Sequence, residues 1–329
     1  MQVAVVGAGT WGTTVAHLCA HNATTTLWTR NADVAESVTQ QHLNQQHLPD
    51  YPLHPLLTAS TDITRVVDGA DVVVMGVASA GFTSTLDILE PAMATATPVV
   101  SLTKGLDHDT GQRMTEMIAD RFPESSIGVL TGPNLAKEIL AKQPAASVLA
   151  FDDITVAQEL QPLFTTECFR VYTSPDLIGC ELGGALKNVI AIAVGIADGL
   201  GAGDNTKAAL ITRGLAELAR LGVAMGGQPE TFGGLTGMGD LVATSTSPQS
   251  RNRSVGVALG AGRSLAKIVD DMGGAAEGIK SAPIVVRLGQ HYGVDLPICN
   301  EVCAVVVHGR SVEEAYQNLM SRPQRGTAE

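Results

Sequence analysis

The chain has 329 residues, 45% of them hydrophobic and 16% charged, which suits two packed domains and excludes a disordered protein. Its 33 acidic and 21 basic residues give a formal charge of -12, which argues against a general nucleic-acid surface, because phosphate backbones reward clustered Lys and Arg. Any phosphate site must be local, made by a few placed cations on an acidic background. No uninterrupted apolar run approaches the roughly 20 residues that cross a bilayer, so no membrane span is expected. The cysteines (Cys19, Cys168, Cys180, Cys299 and Cys303) are odd in number and lack metal-type spacing. Buried thiols in a reducing cytosol account for them, and no metal site is expected.

In chain order, the N-terminus lacks the basic start of a leader peptide and reads as a first core strand, Gln2 to Val6. A helix is predicted over Thr10 to Ala20 and a second strand over Thr24 to Thr29. Asp71 to Val77 is a continuous apolar run suited to a buried central strand. Further strands are expected at Pro98 to Thr103, Ile127 to Thr131, Ala146 to Phe151 and Phe169 to Tyr172. Helices are expected between them at Thr110 to Arg121 and Ile154 to Phe164. This alternation is the signature of a parallel sheet built from βαβ units.

After Ser174-Pro175-Asp176 the pattern becomes helical, with Ile178, Leu182, Leu186, Val189, Ala193, Ile196 and Leu200 recurring at helical spacing. The expected division is a domain over 1–175 and an all-helical domain over 176–329, with a frayed tail from Arg322.

Gly7-Ala8-Gly9-Thr10-Trp11-Gly12 follows the first strand and opens a helix, the context a dinucleotide fingerprint requires. The N-terminal domain is therefore expected to be an α/β, Rossmann-like doubly wound sheet. Gly7 would allow the tight turn, Gly9 the approach of a pyrophosphate, and Gly12 the packing of helix on sheet. The helix N-terminus offers free N–H groups to the anion. An NAD site usually carries a carboxylate at the end of the second strand for the ribose 2′-OH. Here the strand ends Thr29-Arg30-Asn31, with no carboxylate until Asp33, and Arg30 can pair with a 2′-phosphate. NADPH is the expected cofactor, with NADH not excluded. The plainer reading of Arg30 is a solvated loop cation.

Lys187 lies within the long helix, among Gly183, Gly184, Ala191 and Val194. A helix apolar all round is buried, and burial lowers a lysine's pKa toward neutrality, where it serves as a general acid or base. Its structural alternative is an ion pair with Glu181 or Asp198. Asn188 beside it is a candidate orienting partner. Lys104 follows the strand ending at Thr103, on the sheet edge where ligands bind, unless it is an ordinary loop lysine. Thr131-Gly132-Pro133-Asn134 also ends a strand, and Asn134 is either a ligand contact or a helix cap. Ser250-Arg251-Asn252-Arg253 offers a phosphate clamp and a hydroxyl partner, or simply a capped helix start.

These segments, in order along nearly the whole chain, resemble the bacterial type of NAD(P)-dependent glycerol-3-phosphate dehydrogenase. The resemblance rests on Gly7 to Gly12, Ser101 to Gly105, Thr131 to Glu138, Ala185 to Val189, Lys207 to Gly214, Gly237 to Leu241, Ser250 to Arg253 and Glu277-Gly278. It implies cofactor contacts at Thr10, Trp11, Arg30, Asn31, Ala136, Ala275 and Glu277. It implies substrate contacts at Lys104, Gly132, Asn134, Asp240, Ser250, Arg251 and Asn252, with Lys104 and Arg251 also near the cofactor. Lys187 matches the proton acceptor. The substrates implied are dihydroxyacetone phosphate and sn-glycerol 3-phosphate, in a cytoplasmic homodimer that supplies glycerophospholipid synthesis. The sequence departs from the family pattern at Ala78 and Asp50, where proline and glycine are usual. A ketopantoate-reductase or hydroxyacid-dehydrogenase relative would share the fingerprint but lack the Ser-Arg-Asn segment. A non-catalytic dinucleotide sensor would have no need of Lys187.

Overall fold

The computed structural model describes residues 1–321, so the expectation for the tail from Arg322 lies outside the described residues. One sheet of eight strands organises the first half: β1 (Gln2–Val6), β2 (Thr24–Trp28), β3 (Thr58–Ser60), β4 (Val72–Met75), β5 (Val99–Ser101), β6 (Ile127–Thr131), β7 (Ala145–Phe151) and β8 (Phe169–Ser174). Their order across the sheet is β3-β2-β1-β4-β5-β6-β7-β8, the doubly wound arrangement expected. Alternate residues of the central strands feed two cores. Val3, Val5, Val72 and Val74 join one, and Ala4, Val6, Val73 and Met75 the other. That is why these strands read as unbroken apolar runs.

Three helices of this half matter to the site: α1 (Thr10–Cys19), α2 (Ala32–Glu36) and α3 (Met114–Arg121). The predicted start of α3 at Thr110 is four residues early. Asp107 accepts hydrogen bonds from the Thr110 N–H and hydroxyl, both at 2.8 Å, and Gly111 takes φ +78°, so the chain is still turning there. The all-parallel expectation also needs correction, because β7 runs antiparallel to β6. The segment between them contains only the five-residue helix α4 (Ala136–Leu140), too little for a parallel crossover. The three-residue β3, at the sheet edge, was not legible in the sequence.

Beyond Ser174 no strand occurs among the described residues. The helical half is built on α5 (Leu177–Gly199), joined by α6 (Asp204–Ala224), α7 (Asp240–Thr246), α8 (Arg251–Gly260), α9 (Glu277–His291) and α10 (Pro297–His308). By length and mean hydropathy, 1.6, α5 passes for a membrane span, but its apolar window is 94% buried inside the protein. Leu200, assigned to its apolar stripe, instead caps its end and is exposed.

α5 starts at the bottom of the sheet, where Leu177 and Cys180 pack on Val129 and Ala150. It then climbs past the strand ends, Gly184 lying against the Thr131 hydroxyl of β6. Above the sheet it meets α8 almost backbone to backbone. A Cβ on Gly256 would come within 2.2 Å of the Ile192 carbonyl oxygen, and one on Gly195 within 2.3 Å of the Arg253 carbonyl oxygen. Four of the cysteines are buried and Cys168 is half-buried; all are unpaired.

Because a methyl at Gly256 must push two helices apart, Gly256→Ala should destabilise the protein by about 1–3 kcal/mol. A denaturation midpoint equal to wild type would show that this contact is looser than described.

Candidate active site

The glycine turn after β1 is held by the protein itself at two of its three glycines. Gly7 has φ +114°, and a Cβ there would lie 2.6 Å from the Gly76 oxygen. A Cβ on Gly12 would meet the Gly7 oxygen at 2.1 Å. Gly9 differs: it has ordinary angles (φ -69°, ψ 177°), and a Cβ would meet no protein atom within 4 Å. The open space over Gly9, at the start of α1 with no side-chain cap, fits a phosphate group of a dinucleotide. Thr10 opens α1, and the indole N–H of Trp11 is buried with no partner among the described residues.

At the end of β2, exposed Arg30 donates to the Thr85 hydroxyl at 3.3 Å. Asn31 caps α2 by accepting from the Asp33 N–H at 2.9 Å. Asp33 itself is exposed in the first turn of α2. The carboxylate thus sits on a helix, and the guanidinium stands at the strand end.

Farther along the same edge, two lysines share one carboxylate. Lys104 Nζ donates to Asp240 Oδ2 and to the Gly132 carbonyl, both at 2.7 Å. Lys187 Nζ donates to Asp240 Oδ1 and to the Thr244 hydroxyl. Lys187 and Asp240 are buried, while Lys104 is about one-fifth exposed. Burial drives the Lys187 ammonium down to about 7; Asp240 pulls it back up, and the charge of Lys104 pushes it further down. The structural alternatives for Lys187 fail, because Glu181 binds Arg113 and Asp198 binds Lys207 and Arg253. Lys104 is likewise not a free loop lysine.

Thr244, one helical turn after Asp240 on α7, was missed in the sequence; the Asp-x-x-x-Thr spacing on one helix face was its signal. Asn188 does orient its surroundings, donating to the Lys104 carbonyl at 3.3 Å and accepting from Asn252 at 2.9 Å. Asn252 in turn accepts from the Gly278 N–H at 2.8 Å, so its side chain ties α5, α8 and α9 together. Ser250 is a helix cap, accepting from the Arg253 N–H at 3.2 Å. Asn134 is not a cap. Its side-chain N–H donates to Ser147 at 3.3 Å, its Oδ1 is buried without a partner, and α4 starts two residues later at Ala136.

Glu277 opens α9 and accepts from the Ser79 hydroxyl at 2.6 Å, beside Gly105. Arg251 is exposed and donates to the Gly274 carbonyl at 2.9 Å, next to Ala275. The structure thus gathers Lys104, Gly132, Lys187 and Asp240 directly, with Asn252 joined through Asn188. The side chains of Arg30, Asn31 and Arg251 make their hydrogen bonds elsewhere, with Thr85, with Gln46 and the Asp33 N–H, and with the Gly274 carbonyl. No cluster of potential metal ligands occurs among the described residues.

A glycine cradle at the carboxyl ends of parallel strands, facing a buried lysine from a helical domain, defines a two-domain dinucleotide-dependent dehydrogenase. Two family models match: the NAD-dependent glycerol-3-phosphate dehydrogenase N-terminus over residues 2–157 and its C-terminus over 176–317. A glycerol-3-phosphate dehydrogenase [NAD(P)+] of Sphingopyxis alaskensis is 54% identical over 97% of this chain and 96% of its own. The crystal structure of glycerol-3-phosphate dehydrogenase from Coxiella burnetii superposes with a TM-score of 0.92 at 35% identity, covering 98% of this chain and 99% of that one. A ketopantoate reductase from Ralstonia eutropha shares only the fold, with a TM-score of 0.61 at 17% identity over 97% of this chain and 100% of its own. The chain belongs to the NAD-dependent glycerol-3-phosphate dehydrogenase family.

The glycine turn can be tested without touching the chemistry. Gly9→Ala should change stability by no more than about 1 kcal/mol, because the entropy gained on replacing glycine is offset by a poorer cap on α1, while NADPH binding weakens at least about 10-fold. Unchanged NADPH affinity in calorimetry would place the pyrophosphate elsewhere.

Proposed function

We propose that this protein interconverts dihydroxyacetone phosphate and sn-glycerol 3-phosphate with NADPH, or less readily NADH, and supplies glycerol 3-phosphate for glycerophospholipid synthesis. The observation that carries the proposal is the buried Lys187, drawn down to about 7 and placed with Lys104 on Asp240 at the edge of a dinucleotide fold. Residues 1–175 form the dinucleotide-binding domain in this reading, and 176–329 the substrate-binding and catalytic domain. The protein acts in the cytoplasm as a homodimer, with no membrane span.

The cofactor would be held by Gly7, Gly9, Thr10, Trp11 and Gly12 at its phosphates and by Arg30 and Asn31 at its ribose end. Ala136, Ala275 and Glu277 complete its contacts, with Lys104 and Arg251 near it. When bound, it supplies the hydride for the substrate's C2. The chain's own residues manage the proton and the charges. Lys187 donates a proton to the carbonyl oxygen in reduction and takes it back in oxidation. Lys104 polarises that oxygen, and Asp240 fixes both ammonium groups. Gly132, Asn134, Ser250 and Asn252 orient the substrate, Asn134 through a buried oxygen that lacks a protein partner. Arg251 binds the phosphate as a planar fork.

The deciding assay follows NADPH oxidation with dihydroxyacetone phosphate, beside NADH and ketopantoate. Turnover with ketopantoate alone would overturn the reading. Glycerol 3-phosphate oxidation needs neutral Lys187, so its rate should rise with pH through about 7, and reduction should fall over the same range. Lys187→Met should keep NADPH binding while kcat falls about 10²-fold or more. A mutant with a third of wild-type turnover would move the proton to another group.

Arg251 tests the substrate. A charge-assisted fork is worth roughly 1.5–3 kcal/mol, so Arg251→Ala should cost about 10- to 200-fold in kcat/KM for dihydroxyacetone phosphate. Unphosphorylated dihydroxyacetone should show almost no loss. Equal loss with both substrates would remove Arg251 from the phosphate.

A further inference from the structure

Glu181 lies on α5, six residues before Lys187, and its carboxylate is fully buried. Its hydrogen-bond partners belong to the other domain, at the start of α3. Arg113 donates through Nη1 at 2.9 Å, the Thr115 N–H donates at 3.0 Å, and the Thr115 hydroxyl donates as well. The Thr115 N–H is one of the first-turn donors that a helix leaves without an internal partner. Glu181 therefore caps α3 from across the domain boundary, on the end where the helix dipole favours an anion.

Arg113 is also the far end of the loop that carries Lys104. That loop leaves β5 at Ser101, presents Lys104, pairs Leu106 with Arg113 in an antiparallel bridge, and enters α3. Leu106 itself is buried in the core of the helical domain, the cluster to which Leu182 and Leu186 belong. One carboxylate thus grips both elements that deliver an ammonium group to Asp240. On α5 it lies about 9 Å along the axis from Lys187. On the other side it holds the base of the Lys104 loop.

We infer that Glu181 is a positioning residue that sets the separation of Lys104 and Lys187 by clamping α5 to the Arg113–Thr115 segment. It touches neither substrate nor cofactor. Its action passes through the backbone of α5 and through the Leu106–Arg113 bridge. The inference rests on the proposed roles of the two lysines. The groups facing the Lys187 ammonium are Asp240 and Thr244 from α7 and Lys104 from the loop. If the clamp loosens, water enters and Lys104 withdraws, and both changes favour the charged form of Lys187.

The test is Glu181→Gln in the full chain, which keeps size but cannot carry a charge and must turn an amide N–H₂ toward either Arg113 or the Thr115 N–H. The expected result is a kcat at least about 10-fold lower, because small misplacements of catalytic groups cost that much or more. NADPH affinity should stay within about two-fold of wild type, since Gly7, Gly9 and Gly12 are untouched. The midpoint of the pH–rate profile for glycerol 3-phosphate oxidation should move upward from wild type. A folded variant with wild-type kcat and midpoint would overturn the inference. So would a lower kcat with an unmoved midpoint, which describes general loosening rather than lysine placement. Should Glu181→Gln fail to fold, Thr115→Val removes a single donor and is read by the same two quantities. If Lys187→Met proves active, the reading of the lysines has failed and the inference falls with it. If Lys187→Met is inactive and both clamp variants behave as wild type, only the clamp has failed.

Discussion

Asp240 accepts hydrogen bonds from Lys104 and Lys187 while only 2% exposed, and this buried two-to-one arrangement constrains much of the molecule around it. An isolated ion inside a protein costs several kcal/mol, and a like-charged pair costs more unless an anion stands between them. The two ammonium groups come from different domains, so their shared carboxylate works only if the domains hold a fixed relation. The fixtures are visible. Leu106 is inserted into the helical core, Arg113 is held on Glu181, and Asn188 reaches the Lys104 carbonyl. Each is a contact between the sheet domain and α5 or its neighbours.

α5 explains how a buried charge can be carried at all. Nearly every residue from Leu177 to Val194 is buried, so the helix has no solvated face on which to place a lysine. Its small residues let it lie against other backbones, with Gly183 beside Thr236 and Gly195 beside Gly256, while Gly184 makes room for the Thr131 and Lys104 side chains. Close approach shuts water out from around Lys187 and lets three polar side chains reach it or its neighbour Asn188. The same packing that lowers the ammonium to about 7 therefore also supplies its partners.

The sheet, its glycine turn and the burial of Lys187 were legible because each depends on local spacing. An apolar run of the Asp71 type, short and set among alternating helices, reads as a buried strand, and a helix apolar on all sides reads as a buried one. What stayed hidden depends on contacts distant in the chain. Asp240 lies 53 residues from Lys187, and Arg113 lies 68 from Glu181, so no periodicity links them. For Lys187, the sequence offered Glu181 and Asp198 as partners because they share its helix, yet both are taken by residues from elsewhere. The direction of β7 was hidden for a related reason: strand pattern shows burial but carries no sign of orientation.

The division of labour between arginine and lysine follows from their protonation chemistry. Guanidinium is a planar, permanently charged fork, which is why the proposed function gives the phosphate contacts to Arg251 and Arg30. Lysine can be brought near neutrality, and here it has been. With Lys187 protonated, the group Lys104–Asp240–Lys187 carries one net positive charge, and with Lys187 neutral it carries none. A protein of net charge -12 offers no long-range attraction to a dianion, so that single charge matters only at contact. On this reading, arrival of an anionic substrate favours the protonated form of Lys187 by linkage, which loads the proton before reduction. In oxidation the same linkage works against the neutral form.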